Sequence, residues 1–414
     1  MARRVLGLLV SVAASAFLAS CGLLPEPAVR LLTNRPELAA YAELFNAHQG
    51  DFLVEVGWRD SPAQAVRDGE AADVVIGDSL AVADLMDRLD PLSDVIKPGR
   101  IDPAAFYPGL LAMGSRDNRP LLLPLAFDLP AVVMERRAAS GELPAMMLPL
   151  ATMRSMAAAF TSQGKGGGLA TVGFPPLWDP EFILLVARLY GARPRAGRPV
   201  AFTWDPEPLA QAIEFTRSWV AKDDGGATSE LAFIRRNLTQ QPWDRLLAAR
   251  KILFAVVPFT EFASLAEEKR RDLEFRWLSQ DDHVPVLDNA IFAGVPRSAR
   301  NKRGARAFLE WLAQPATQRS LLEANRSKRL GVFGVIGGFS ALESLNEKEL
   351  PQQYPLLLGH VPPEASLAFP DPLPAGWDNA RSAAVLPWLS KAAAGESAGT
   401  LEAAIEAWQA AVRK

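Results

Sequence analysis

The apolar positions of this chain recur at two spacings, and the two alternate along its first hundred residues. Val29-Arg30-Leu31-Leu32 has the composition of a short strand. From Pro36 to Gln49 the apolar residues Leu38, Tyr41, Ala42 and Phe45 recur at helical spacing, with proline in the first turn. Phe52 to Trp58 alternates as a strand, Pro62 to Asp68 is a short helix, and Ala72 to Gly77 is an apolar run of the buried-strand kind. Leu80 to Arg88 is helical until Leu89-Asp90-Pro91-Leu92 breaks it. Strand, helix, strand, helix, strand predicts a mostly parallel sheet flanked by helices. In such sheets ligands bind beyond the carboxyl ends of the strands.

The pattern then changes. Two apolar runs, Leu121 to Pro124 and Ala131 to Met134, flank Asp128. Helices are predicted over Met147 to Thr161, Pro180 to Tyr190, Pro206 to Lys222 and Trp243 to Ala249, the third with Asp205 placed to cap it. Ile252 to Val257 is a second buried-type strand, and Asp288 to Val295 is a strand returning toward the first unit. Ser298 opens a helix running to Leu312. Pro351 to Pro374 is a long proline-rich connection, and two helices, Asn379 to Ser390 and Leu401 to Val412, finish the chain.

The amino terminus adds a location. Arg3-Arg4 precedes an unbroken apolar and small stretch from Val5 to Leu18, too short for a bilayer span of about 20 residues. This is the pattern of a cleaved export signal. Its ending, Leu18-Ala19-Ser20-Cys21, resembles a bacterial lipoprotein signal, and Cys21 is the only cysteine in 414 residues. The resemblance implies acylation of Cys21 and a membrane tether through Pro25 and Pro27. Several acyl chains hold firmly where one holds marginally, at about 0.8 kcal/mol per buried methylene. The expected location is the cell envelope, lipid-anchored, facing the periplasm or the exterior. A lone cysteine permits no intrachain disulfide, so stability rests on the core. With 49% hydrophobic residues that core is substantial, and a formal charge of −3 gives no pull on nucleic acid.

Catalytic patterns are weak. Gly77-Asp78-Ser79-Leu80-Ala81 lacks the final glycine of a nucleophile elbow. No serine or threonine follows the lysine of Gly164-Lys165-Gly166, so this is not a P-loop. His48, His283 and His360 are too scattered for a metal site, and neither a metal nor a cofactor is expected.

Four segments carry a resemblance to a known family. They are Leu31-Leu32-Thr33-Asn34-Arg35-Pro36-Glu37 leading into Tyr41 to Asn46, Ala72 to Gly77 with Leu89-Asp90-Pro91-Leu92, Leu123-Pro124-Leu125-Ala126-Phe127-Asp128, and Ile291 to Pro296 with the helix ending Phe308-Leu309-Glu310-Trp311-Leu312. Their order and spacing resemble the extracellular solute-binding proteins of ABC importers, in the sugar-type group, from about Arg30 to about Trp388. Arg250-Lys251 stands where that family commonly has Gly-Lys, and Leu287-Asp288-Asn289 replaces a glycine-rich turn.

The resemblance implies an α/β, two-lobe periplasmic-binding-protein-like (class II) fold, with hinged lobes and a ligand cleft between them. Residues 1–20 would be the signal peptide and 21–28 the lipidated tether. Lobe one would comprise 29–133 and 289–330, and lobe two 134–288 and 331–414. The implied partners are a small-molecule ligand, a sugar or oligosaccharide, and the subunits of an ABC permease; a monomer is expected. By their place in the family-like segments, the ligand-binding residues would be Asn34, Arg35, Glu37, Asp78, Phe127, Asp128, Trp178, Phe259, Thr260, Asp288, Asn289 and Phe333. Trp178 and Phe259 would be stacking platforms, with Asp128 and Asn289 as polar partners. Structural roles compete with these: Glu37 suits the first turn of a helix, Asp78 an N-cap before Leu80, and Trp178 a core. Two other functions stay open, a lipid-anchored hydrolase such as a glycosidase and a structural envelope lipoprotein.

Overall fold

Uninterrupted apolar side chains place Val74–Gly77 and Leu122–Phe127 in the middle of a sheet, where both faces of each strand are covered. The computed structural model describes residues 28–137, 144–196 and 202–412. The signal segment and Cys21 lie outside the described residues.

The first lobe is built on six strands, in the order Phe339–Ser340, Leu122–Phe127, Ile291–Gly294, Val74–Gly77, Val29–Thr33, Val54–Trp58. The last three are parallel, with Thr33 opposite both Trp58 and Ile76. Ile291–Gly294 runs antiparallel to both its neighbours, which leaves Leu122–Phe127 parallel to Val74–Gly77. Four strands therefore end on one edge, at Thr33, Trp58, Gly77 and Phe127. The helix Glu37–His48 buries Leu38, Tyr41 and Phe45, and Phe45 meets Phe308 and Trp311 of the helix Lys302–Ala313. Asp73 fastens the opposite end of the sheet, accepting backbone N–H groups from Arg30, Arg300 and Asn301 at 2.7–2.9 Å.

The main sheet of the second lobe has, among the described residues, four strands, in the order Phe254–Pro258, Pro130–Glu135, Leu273–Ser279, Met147–Pro149. Pro258 pairs with Pro130 and Trp277 with Ala131, so the carboxyl ends of Phe254–Pro258 and Leu273–Ser279 face the first lobe. An aromatic cluster fills the space beneath: Phe259, Phe275 and Trp277 lie 4.8–5.0 Å apart between ring centroids. Behind it the helices Pro180–Leu189, Pro206–Lys222 and Leu386–Ala393 pack on one another, around Phe174, Phe182 and Trp219.

The expected lobe boundaries need two corrections. Ala131 to Met134 belongs to the second sheet, so the chain crosses at Asp128 and Leu129 rather than between 133 and 134. Phe339–Ser340 pairs with Phe127 and Ala126, and Asn346 donates to the Tyr107 hydroxyl at 3.2 Å, so residues 331–350 stay with lobe one. The connection beyond them bridges both lobes: Leu367–Ala368 pairs with Val284–Pro285, while Leu373 bonds Ala81 and Ala83.

Local differences have local causes. The predicted helix from Met147 begins with a strand, Met147–Pro149, because Leu148 completes the sheet edge and Pro149 donates no N–H. Between Leu80 and Arg88 only Ala83–Met86 is helical, so Asp78 caps no helix. Asp205 precedes Pro206–Lys222 without a side-chain cap bond and pairs instead with Arg195 at 3.0 Å. No helix among the described residues is long and apolar enough to cross a membrane.

Candidate functional site

The strand ends converge on a cleft between the lobes. Its floor is the double crossing at Asp128 and Leu287, where the Leu287 N–H donates to the Asp128 carbonyl at 3.0 Å. Three adjoining cavities open around it. One, of about 430 Å³, lies between Arg35, Glu37 and Phe333 on one side and Thr260 and Glu261 on the other. A second, of about 160 Å³, is lined by Asp78, Ser79, Trp377 and Asp378. The third, of about 200 Å³, runs along Glu181, Arg188 and Pro258. Asn289 borders all three, and Asp288 and Arg381 border the last two.

Lobe one presents Asn34, Arg35 and Asp78 side by side, because the strands that carry them are neighbours with matched ends. The Arg35 guanidinium donates to Asp78 at 2.8 Å, and Asn34 donates to the other Asp78 oxygen at 3.4 Å. The Arg35 Nε and the Asn34 Oδ1 have no partner among the described residues. Glu37 is 4% exposed at the start of its helix, and burial pushes its carboxyl above the usual range. Gly337, at φ +70°, leaves room there: a Cβ would lie 3.8 Å from both Arg35 and Glu37.

Lobe two contributes an ionic chain that sequence reasoning does not find. Arg381 donates to Glu181 at 2.5 Å and lies 4.0 Å from Asp288, which Arg188 approaches to 3.7 Å. Burial, against the pull of Arg381, leaves the Glu181 carboxyl above its ordinary range. Asp378 is also raised, chiefly by burial, while Ser79 across the cleft hydrogen-bonds it and draws it back down. Ser79 holds φ +57°, which turns the chain sharply beyond Gly77.

The predicted site residues separate into two groups. Asn34, Arg35, Glu37, Asp78, Thr260, Asp288 and Asn289 border the cleft or contact side chains that do. The aromatic predictions are corrected. Phe259 is 0% exposed and packs among Phe275, Trp277, Phe333 and Phe339, so it offers no face to a ligand. Phe127 is buried against Tyr107, Phe339 and Phe369. Phe333 reaches the largest cleft cavity only with an edge, being 2% exposed. Trp178 is half-buried on the lobe-two core and lines none of the three cavities. Asp128 is 3% exposed; it accepts from the Thr260 hydroxyl and from the N–H groups of Thr260 and Leu129, so it holds the hinge rather than facing solvent. Burial pushes its carboxyl up to about 7.

What the arrangement can do is bind. It offers fixed carboxylates and guanidiniums from both lobes around a shared opening, suited to a polar solute that touches both. Among the described residues no three His, Cys, Asp or Glu side chains are grouped to hold a metal ion.

No protein-family model matches this sequence, and no curated protein matches it. Solved structures do match in fold. The sugar-binding protein MalE from Xanthomonas citri is 16% identical, with 93% of this chain and 96% of that one covered and a TM-score of 0.68. An ABC substrate-binding protein from Listeria monocytogenes in complex with cycloalternan is 14% identical over 93% and 97%, at 0.64. The GacH receptor of Streptomyces glaucescens, solved unliganded and with acarbose, is 14% identical over 94% and 98%, also at 0.64. The chain has the two-lobe α/β fold of sugar-binding ABC substrate-binding proteins.

Proposed function

We propose that this protein is a lipid-anchored substrate-binding receptor of an ABC importer. It captures a sugar or oligosaccharide by hinge closure and delivers it to a membrane permease. The observation that carries this reading is the cleft itself: polar side chains from both lobes, at the carboxyl ends of their strands, meet at a two-strand hinge. The likeness in fold to structures described as sugar-binding supports the substrate class. Carboxylates and amides accept from sugar hydroxyls, and guanidiniums donate to them. A ligand that touches both lobes only when they are closed favours closure by that difference in contact free energy. Periplasmic binding proteins as a class close about a hinge around their ligands in this way. The membrane link rests on the lipoprotein-like ending at Cys21.

A thermal-shift screen over a sugar library tests the receptor reading. A true ligand at a hundred times its Kd stabilises the protein by about 2.7 kcal/mol. X-ray scattering of the same pair should show a smaller radius of gyration with ligand. Superimposable curves would remove hinge closure, and release of hydrolysed product would replace the receptor with a glycosidase. For the anchor, Cys21→Ser should release the protein from membranes; a variant that stays bound after a salt wash rules the tether out.

A further inference from the structure

Each arginine of the cleft lies within ion-pair distance of a carboxylate, but four of the carboxylates have no such partner among the described residues. Arg35 is held by Asp78, while Arg381 and Arg188 share Glu181 and Asp288. Glu37, Glu261, Asp179 and Asp378 have no cation within ion-pair distance among the described residues. Among the described residues Glu261 accepts only from the Trp243 indole, at 2.5 Å, and Asp179 only from the Glu181 backbone, at 3.0 Å. Repulsion between neighbouring carboxylates adds to burial on the Glu181 side of the cleft. Asp179 is raised by burial and then by Glu261; Glu181 feels both Asp288 and Asp179; Asp378 feels Asp288.

Glu37 is the independent observation. Its carboxyl is nine-tenths buried yet lines the largest cleft cavity, facing Glu261 and Thr260 across it. Among the described residues no other donates a hydrogen bond to it, and its own backbone N–H is its one donor there. Arg35, the cation lining the same cavity, lowers the Glu37 carboxyl by its charge but lies outside ion-pair distance of it and donates one N–H to Asp78 instead. A buried carboxyl so short of donors is costly unless something else supplies them. The same cavity has glycine at 331 and 337, which keeps its wall open beside that carboxyl.

We infer that the cleft selects a solute bearing a cationic amine, an amino sugar, whose ammonium group sits in the cavity that Glu37 and Glu261 line. This rests on the receptor reading and narrows its substrate class. An ammonium has three donors and no acceptor, so it supplies the donors that the Glu37 carboxyl lacks and balances the negative charge of the cavity. A neutral hydroxyl in that position donates one hydrogen bond and leaves the charge excess in place.

The test is calorimetric titration of the full mature protein with matched oligosaccharides in α- and β-linked series. Each match has a neutral member, a 2-amino member and its N-acetylated form, which keeps the substituent and removes the charge. The amino member should bind at least tenfold tighter than the other two. The gap should shrink between about 20 mM and about 500 mM salt, as screening shortens from roughly 20 Å to roughly 4 Å. Glu37→Gln should reduce the preference to under threefold. Glu261→Gln, an exposed position where folding is not at stake, should reduce it at least threefold. Neutral or N-acetylated members that bind as tightly as the amino member overturn the amine inference and leave the sugar receptor standing. Absence of binding by every member of both series overturns the receptor reading, and the inference with it.

Discussion

Thr260 donates its hydroxyl to the buried carboxylate of Asp128, across the point where the chain first passes between the lobes. The same carboxylate takes the Leu129 N–H at 2.8 Å and the Thr260 N–H at 3.3 Å. Three donors thus depend on one side chain that is 3% exposed. Asp128→Ala leaves them without a partner and should cost about 2–4 kcal/mol, since each orphaned buried group costs about 1–3 kcal/mol and local relaxation recovers some of it. Urea denaturation reads this as a lower midpoint at unchanged slope. A loss under about 0.5 kcal/mol would mean that water serves these donors instead.

Phe259 separates a core role from a ligand-facing one. It is fully buried among five aromatic rings at 4.9–6.0 Å. Phe259→Ala should cost about 3–5 kcal/mol by transfer and cavity terms together. The folded fraction should keep its ligand affinity within about threefold, a difference of under about 1 kcal/mol. Strong loss of affinity with an unchanged melting temperature would return Phe259 to the binding surface.

How far the sequence discloses the site follows from where each residue lies relative to regular structure. Asn34, Arg35 and Asp78 are legible because each follows closely on an apolar run, and strand ends of parallel sheets point to one edge. Phe259 follows a strand too, but Pro258 turns the chain back into a short helix, Phe259–Ala263, and carries the ring inward. Composition does not distinguish those two outcomes. Arg381 and Asp378 belong to a C-terminal segment that crosses back near Leu373, so only the tertiary return brings them beside Asp288. The run from Ala131 to Met134 is legible as a strand, but its lobe is not. Apolar runs at Leu122–Phe127 and Pro130–Glu135 look alike, and only the pairing partner tells the sheets apart. Lobe two's ionic chain has no local signature for the same reason: the paired Glu181 and Arg381 are 200 residues apart, with Asp288 about midway between them.

Asp224 makes stability depend on pH. It is fully buried near Glu230; among the described residues its Oδ2 has no partner, and its Oδ1 meets only Thr161, at 3.4 Å. Burial, with repulsion from Asp223, pushes its carboxyl up to about 7. The unfolded chain loses this proton near 4, so between roughly pH 4 and 7 the folded state binds more protons. Stability contributed by the protonated form is complete below the lower value and falls as pH rises through the upper one. Asp224→Asn should remove that fall. At pH 8 the variant should be more stable than the parent by on the order of 2–4 kcal/mol, and at pH 4 nearly equal. Chemical denaturation at the two pH values measures it, and a gain of the same size at both would show that charge is not the cause.

Arg381 holds the cleft wall together, and its removal should be felt most where the carboxylates are ionised. Its guanidinium joins Glu181 on the helix Pro180–Leu189 to Asp288 at the second crossing. Arg381→Met keeps much of the aliphatic stem and deletes the charge. Glu181 then repels Asp288 with only Arg188, 3.7 Å from Asp288, left to offset the pair among the described residues. Losing the guanidinium raises the Glu181 carboxyl further above its unfolded value, so the variant's folded state binds the extra proton. Its stability is best below that unfolded value and declines as pH rises. The pair is partly exposed, so the deficit at pH 7.5 should be modest, on the order of 1 kcal/mol or 2–4 °C in Tm, and should shrink toward pH 4.5 and at high salt. Thermal melts across those conditions check the sign. A deficit that is constant with pH and salt would assign Arg381 to packing. A deficit that grows toward low pH would reverse the electrostatic account of the cleft wall, because protonated Glu181 has no charge for Arg381 to balance.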